Sequence, residues 1–119
     1  MKASHTAHDF YEQHKLQKYE PLLKGVYGTY LFDIANAGHW FISVRDGAIE
    51  IEEARRDADC TIRCDEQDFI DIVEGRRNLI TAAMQGRVKV SGDFALAQKF
   101  HGLISAKLED KKDKKKEAA

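Results

Sequence analysis

Three short runs of alternating side chains, separated by turn chemistry, constrain this chain more than anything else in it. From Val26 to Ile34, Tyr30, Phe32 and Ile34 share one phase, and Thr29, Leu31 and Asp33 share the other. From His39 to Arg45, Trp40, Ile42 and Val44 stand opposite His39, Phe41 and Ser43. From Ala48 to Glu53, Ile49 and Ile51 alternate with Glu50 and Glu52. A period of two sends successive side chains to opposite faces of a strand, so each run carries one apolar and one wetter face. Ala35–Gly38 supplies Asn and Gly, which tolerate positive φ, and Asp46-Gly47 is a two-residue hairpin signal. The pattern predicts a three-stranded meander whose apolar face needs a cover.

The rest of the chain supplies that cover. A helix is expected from about Ala7, with Phe10, Tyr11, His14 and Tyr19 as candidates for its buried side, ended or kinked at Pro21. Cys60 to Cys64 alternates as a fourth strand. Four residues of strand span about 13 Å, beyond the roughly 7 Å that a disulfide tolerates, so both thiols are expected free, buried and on the Ile62 face. Asp65 caps a helix with Phe69, Ile72 and Val73 as its stripe and Gly75 at its end. Asn78 caps a shorter one carrying Leu79, Ile80, Ala83 and Met84, ended by Gly86. Val88 and Val90 then alternate with Lys89 and Ser91 as a fifth strand. Past Gly92, Asp93 caps a last helix in which Phe94, Leu96, Ala97, Phe100, Leu103 and Ile104 recur at helical spacing.

At 119 residues the chain holds one core. We expect a single domain over 1–106 and a lysine-rich tail over 107–119, disordered or a fraying helix extension, where six lysines face four acids. With 19 basic and 20 acidic side chains the balance argues against a dedicated nucleic-acid binder. No apolar run approaches the roughly 20 residues of a membrane span. The first ten residues lack the apolar core of a signal peptide, and the closing EAA is no peroxisomal address. A cytoplasmic protein is the expectation. The tail offers a transient contact with anionic membrane surfaces, diluted by its interleaved acids.

Four segments, in order, resemble the sterol carrier protein 2 (SCP2) sterol-transfer family. They are Trp40 to Gly47 (WFISVRDG), Ala58 to Ile62 (ADCTI), Asp68-Phe69 with Gly75 six residues on, and Met84 to Val90 (MQGRVKV) followed by Gly92-Asp93 and Leu96 to Lys99 (LAQK). The resemblance spans about Val26 to Ile104. It implies an α+β fold: a five-stranded mixed β-sheet covered on one face by helices, with an apolar tunnel between the layers. That tunnel would hold a fatty acid, acyl-CoA, sterol or isoprenoid-type lipid without transforming it, and no cofactor is implied. By the same resemblance Trp40, Phe69, Met84 and Phe100 fall at bulky wall positions, and Gln98 falls where a glutamine can meet a ligand head. With the inward apolar set around them, the expected cavity comprises Phe32, Trp40, Ile42, Ile62, Phe69, Ile72, Val73, Met84, Val88, Val90, Phe94, Ala97, Gln98, Phe100, Leu103 and Ile104.

Other readings compete. A solid core is the ordinary outcome for a one-sided sheet with amphipathic helices. His39 and His101 could meet a carboxylate head, or be merely half-exposed. An enzyme with a buried carboxylate base, of the ketosteroid-isomerase type, needs an acid inside the pocket. The strand acids other than Asp33 fall outward or in turns, Asp33 shares its face with Thr29, and no nucleophile elbow, zinc signature or phosphate loop is present. No catalysis is expected. An accessory module is the alternative, presenting a lipid intermediate such as a quinone precursor to biosynthetic enzymes, with Leu31 and Phe41 as its exposed partner surface. For a carrier, the last helix is the element expected to move on release.

Overall fold

The apolar phase of the meander is the inner face of a five-stranded sheet. The computed structural model describes residues 6–118, their side chains as far as Lys107. Strands β1 (Tyr27–Ala35), β2 (Gly38–Arg45) and β3 (Ala48–Glu52) pair antiparallel in sequence order. Strand β4 (Cys60–Asp65) then joins β1 in parallel, and β5 (Lys89–Gly92) pairs antiparallel with β4. The order is β3-β2-β1-β4-β5. Register sets Phe32 between Trp40 and Ile62, Tyr30 between Ile42 and Cys60, and Ile62 beside Val90. One apolar row therefore crosses the sheet.

Turn and cap chemistry acts where the pattern places it. Asn36 takes φ 62° in the first turn, and Asp46 and Gly47 take φ 47° and 88° in the second. Helix α1 (Ala7–His14) is capped by Thr6, whose hydroxyl accepts from the Asp9 N–H. A 3₁₀ turn over Pro21–Leu23 leads into β1. Asp65 accepts from the Asp68 N–H to open α2 (Glu66–Val73), and Asn78 from the Thr81 N–H to open α3 (Leu79–Met84). Asp93 accepts from the Ala95 N–H at 2.9 Å as α4 (Phe94–Ala118) begins. The stretch expected as a tail continues α4 as helical backbone through Ala118. Gly92 is required by its surroundings: at φ +87° an added Cβ would lie 2.2 Å from the Asp59 carbonyl oxygen.

The helices lie over the inner face, and the core between the layers includes Tyr30, Phe32, Ile34, Trp40, Ile62, Phe69, Ile72, Leu79 and Ala97. Both cysteines are free and buried. Burial first, and then neighbouring acids, push the Cys60 thiol up to about 11 and the Cys64 thiol up to about 12. They remain protonated and inert at neutral pH.

The outer face corrects one expectation. Leu31 is only 6% exposed, although its phase points away from the helices. Its ladder partners are Phe41 and Thr61, and the Arg56 guanidinium lies 5.8 Å from the Phe41 ring centroid. Alongside, Asp33 is bridged by Arg55 at 3.4 Å and Arg63 at 3.1 Å. Leu31 and Phe41 thus lie among the chain's own side chains and do not form a bare apolar patch.

Candidate functional site

Where α1 crosses the sheet, the two layers do not close completely. An apolar crevice with about 30 Å³ of free space remains. Helix α1 contributes Ala7, Phe10, Tyr11 and His14, the sheet contributes Phe32, Trp40, Ile42 and Ile51, and α2 and α4 contribute Phe69 and Phe100. Aromatic rings form most of the wall. Phe10 meets Phe69 edge-on at 5.3 Å, Phe32 meets Phe69 at 5.9 Å and Phe100 at 4.9 Å, and Tyr11 stands 6.0 Å from Trp40. Interiors that hold drug-sized ligands usually offer about 300–1,000 Å³. The expected tunnel is therefore closed here to a hollow far too small for a lipid.

Five of the expected cavity residues meet at this crevice: Phe32, Trp40, Ile42, Phe69 and Phe100. Ile62, Val88 and Ala97 are buried in the core without lining it, and Val73, Val90 and Leu103 pack half-buried against it. Ile72 and Ile104 border a second, more polar hollow of about 130 Å³ beside Arg77, His101 and Ser105.

Three residues are placed outside. Met84 is 84% exposed, because Leu79 and Ala82 use the inward side of the short α3 and Met84 turns away from both. Phe94 is 42% exposed and Gln98 is exposed as well. They stand one turn apart on α4, on the side opposite the buried Leu96 and Ala97. His39 pairs with Asp33 on the outer sheet phase, away from the crevice.

Ala7, Phe10, Tyr11, His14 and Ile51 line the crevice without having been expected in the cavity set. Their signals were present, since Phe10, Tyr11 and His14 mark the buried side of α1 and Ile51 an inward strand position. Nothing local says that α1 lies over Trp40.

Two polar contacts fix α4, and a hydrogen bond with aromatic contacts fixes α1. The buried Tyr30 hydroxyl donates to the Leu96 carbonyl at 2.7 Å, binding the first turn of α4 to β1. Burial raises the Tyr30 pKa well above the ordinary phenol value. Farther along α4, Lys107 Nζ reaches the buried Glu20 carboxylate at 2.5 Å. Burial alone would raise the Glu20 pKa. The Lys107 ammonium, the Leu22 N–H and Gln17 outweigh it, and the net shift is downward. Helix α1 is held by the Ala7 N–H on Glu66 Oε2 at 2.9 Å and by its aromatic contacts.

One buried polar atom of a wall residue stands out. Trp40 is 4% exposed, and among the described residues its indole Nε1 has no hydrogen-bond partner. Among the described residues there is no cluster of three or more metal-ligating side chains, and no helix is long and apolar enough to cross a membrane.

A five-stranded mixed sheet with helices on one face and an aromatic hollow between the layers defines a class of α+β domain with an apolar interior. Residues 9–105 match the SCP-2 sterol transfer family, and the chain belongs to it. It is 31% identical over 88 residues to peroxisomal multifunctional enzyme A of Dictyostelium discoideum, covering 70% of this chain and 20% of that protein. The chain spans about a fifth of the length of such curated relatives. Its fold matches the sterol carrier protein domain 2 of Helicoverpa armigera with a TM-score of 0.63 at 25% identity, over 81% of this chain and 79% of the other. It matches the ubiquinone synthesis protein UbiJ-SCP2 with a TM-score of 0.63 at 17% identity, over 82% and 90% of the two chains, a likeness of fold alone.

Proposed function

We propose that this chain binds a hydrophobic ligand between its sheet and helices and carries it within the cell without transforming it. The ligand class is a fatty acid, acyl-CoA, sterol or isoprenoid-type lipid. The observation that carries this reading is the aromatic crevice under α1, in a chain that belongs to the SCP-2 sterol transfer family. Apolar burial at about 25 cal/mol per Å² drives entry, offset by ordering of the flexible chain.

A lipid cannot enter about 30 Å³, so loading requires a layer to move. Helix α1 supplies four wall residues and α4 only Phe100, and α4 carries the Tyr30 and Lys107 anchors. Lifting α1 is therefore the opening step in this reading, in place of the movement of α4 expected from sequence. The lysines of the α4 extension would meet anionic membrane surfaces transiently during exchange.

Organic extraction of the purified protein with lipid mass spectrometry, alongside Trp40 emission on adding lipid, tests the reading. A stoichiometric lipid or a saturable emission change supports it. An empty protein unresponsive to fatty acids, acyl-CoAs, sterols and quinones refutes it. The fold shared with a ubiquinone synthesis protein favours a second reading, in which the bound lipid is a quinone precursor presented to an enzyme. Selective retention of a polyprenyl quinone precursor over acyl lipids would decide for it.

A further inference from the structure

The sheet has two edges, and they are treated differently. Along β3 the chain covers its own edge: the Ile49 N–H donates to the Lys18 carbonyl at 2.9 Å, the Glu20 N–H donates to the Gly47 carbonyl at 2.7 Å, and Tyr19 bridges Ala48. At the opposite end, β5 pairs with β4 alone among the described residues. The bond from the Asp93 N–H to the Asp59 carbonyl, 2.8 Å, fixes the parity of that ladder. Antiparallel pairs alternate between bonded and non-bonded, so Thr61–Ser91 and Arg63–Lys89 are the bonded pairs that follow it. Val90 and Gly92 therefore turn both N–H and C=O to the open side. Lys89, Ser91, Gly92 and Asp93 are all exposed.

An open row of backbone groups is a template for a further strand, and register decides which strand fits. A second β5, antiparallel about a two-fold axis through Ser91, sets Val90 of each copy opposite Gly92 of the other. Every outward N–H then meets an outward C=O. Sliding one way would oppose Gly92 to Val88, whose N–H is already donated to the Ala82 carbonyl at 3.3 Å, and sliding the other way would oppose Val90 to Phe94, inside α4. The two-fold register also sets Lys89 of each copy opposite Asp93 of the other, and opposite charges directly across a ladder attract. We infer that β5 is the docking edge for a second copy of this chain, joined antiparallel about Ser91 into one continuous sheet, with two Lys89–Asp93 pairs fixing the register. A four-residue edge is small beside a standard interface of about 1,600 Å², so the dimer is weak and concentration-dependent. The crevice under α1 draws its sheet residues from β1, β2 and β3, so the pairing leaves it free.

The experiment follows the ¹⁵N-labelled full chain from micromolar to millimolar concentration at low salt, by sedimentation velocity and by amide NMR. The expected result is a monomer–dimer equilibrium in which the Val90 and Gly92 amides shift and gain protection from exchange as concentration rises. Lys89→Glu, an exposed change, should weaken the dimer at least tenfold, since it sets two acids against two acids. Asp93→Lys should weaken it likewise, and mixing the two variants should restore association, because each unlike charge then meets its opposite. Melting curves of both variants identify any loss that comes from folding, and Lys89→Glu alone carries the test if Asp93→Lys loses its helix cap. A chain that stays monomeric to millimolar concentration would overturn the inference. A dimer whose Val90 and Gly92 amides stay unshifted would place the contact elsewhere and overturn the β5 edge. A dimer indifferent to Lys89→Glu would overturn the register.

Discussion

Phe10→Ala separates a lid from a wall. Phe10 is half-buried, edge-on to Phe69 at 5.3 Å and 4.4 Å from His14, and it is the large α1 side chain that reaches α2 across the crevice. Removing a fully buried phenylalanine costs about 3–5 kcal/mol, so half-burial puts this substitution at about 2 kcal/mol. In a domain of this size that lowers the melting temperature by about 8 °C. If the closed, ligand-excluding form is held shut by α1, the same loss raises the population of the lifted form. Apparent affinity scales with that population, and about 1.4 kcal/mol is tenfold, so lipid should bind about tenfold more tightly. The ring's absence from the ligand's surroundings keeps the gain below the full value. Urea unfolding reports the stability and Trp40 emission the affinity, on one sample. Stability and affinity moving in opposite directions is the expected outcome. A variant that is both less stable and weaker in binding would make Phe10 an ordinary wall residue and refute α1 as the lid.

Phe100→Asp should weaken lipid binding well before it unfolds the domain, since Phe100 lines the crevice and remains half-buried. Equal losses in a lipid titration and a urea melt would mark it as plain core. Gly92→Ala should destabilise by about 3 kcal/mol or more, because strain at positive φ is joined by a backbone clash. Gly86→Ala, at φ +79° in open space, should cost only about 1 kcal/mol in the same urea assay, and equal costs would argue against the close approach of Asp59. Glu20 has a lowered pKa in the folded chain, so its stabilisation is complete above its ordinary value of 4.5 and is lost as pH falls through the folded value. Melting temperature against pH should therefore decline less steeply below 4.5 in Glu20→Gln than in the parent, and parallel curves would remove the Lys107 pair from the account.

The period-two runs named β1 to β4 and assigned their inner residues, because alternation is a property of the backbone alone. Asp65, Asn78 and Asp93 marked three helix starts for the same kind of reason: a short side chain satisfies a nearby orphan N–H whatever the rest of the molecule does. The ordered segments from Trp40 to Lys99 are enough to reach the family and, through it, a five-stranded mixed sheet; that β4 is the strand lying parallel to β1 is a tertiary fact. The cavity was harder to read. Chemistry and resemblance put Met84, Phe94 and Gln98 inside, yet the short α3 and the start of α4 have only one inward side, taken by Leu79, Ala82, Leu96 and Ala97. The outward phase of Leu31 alone implies a bare side chain, whereas it is buried. An arginine-rich loop after β3, invisible to any periodicity, lies beside its partner Phe41.

Residue order alone settles which face of each strand is apolar, where α2, α3 and α4 begin, and which fold family accommodates both. Tertiary packing alone sets α1 against Trp40, closes the crevice to about 30 Å³ and, among the described residues, leaves the indole N–H without an acceptor. Those features depend on how separate elements meet. Periodicity records which side of an element is buried but carries nothing about what that side rests on.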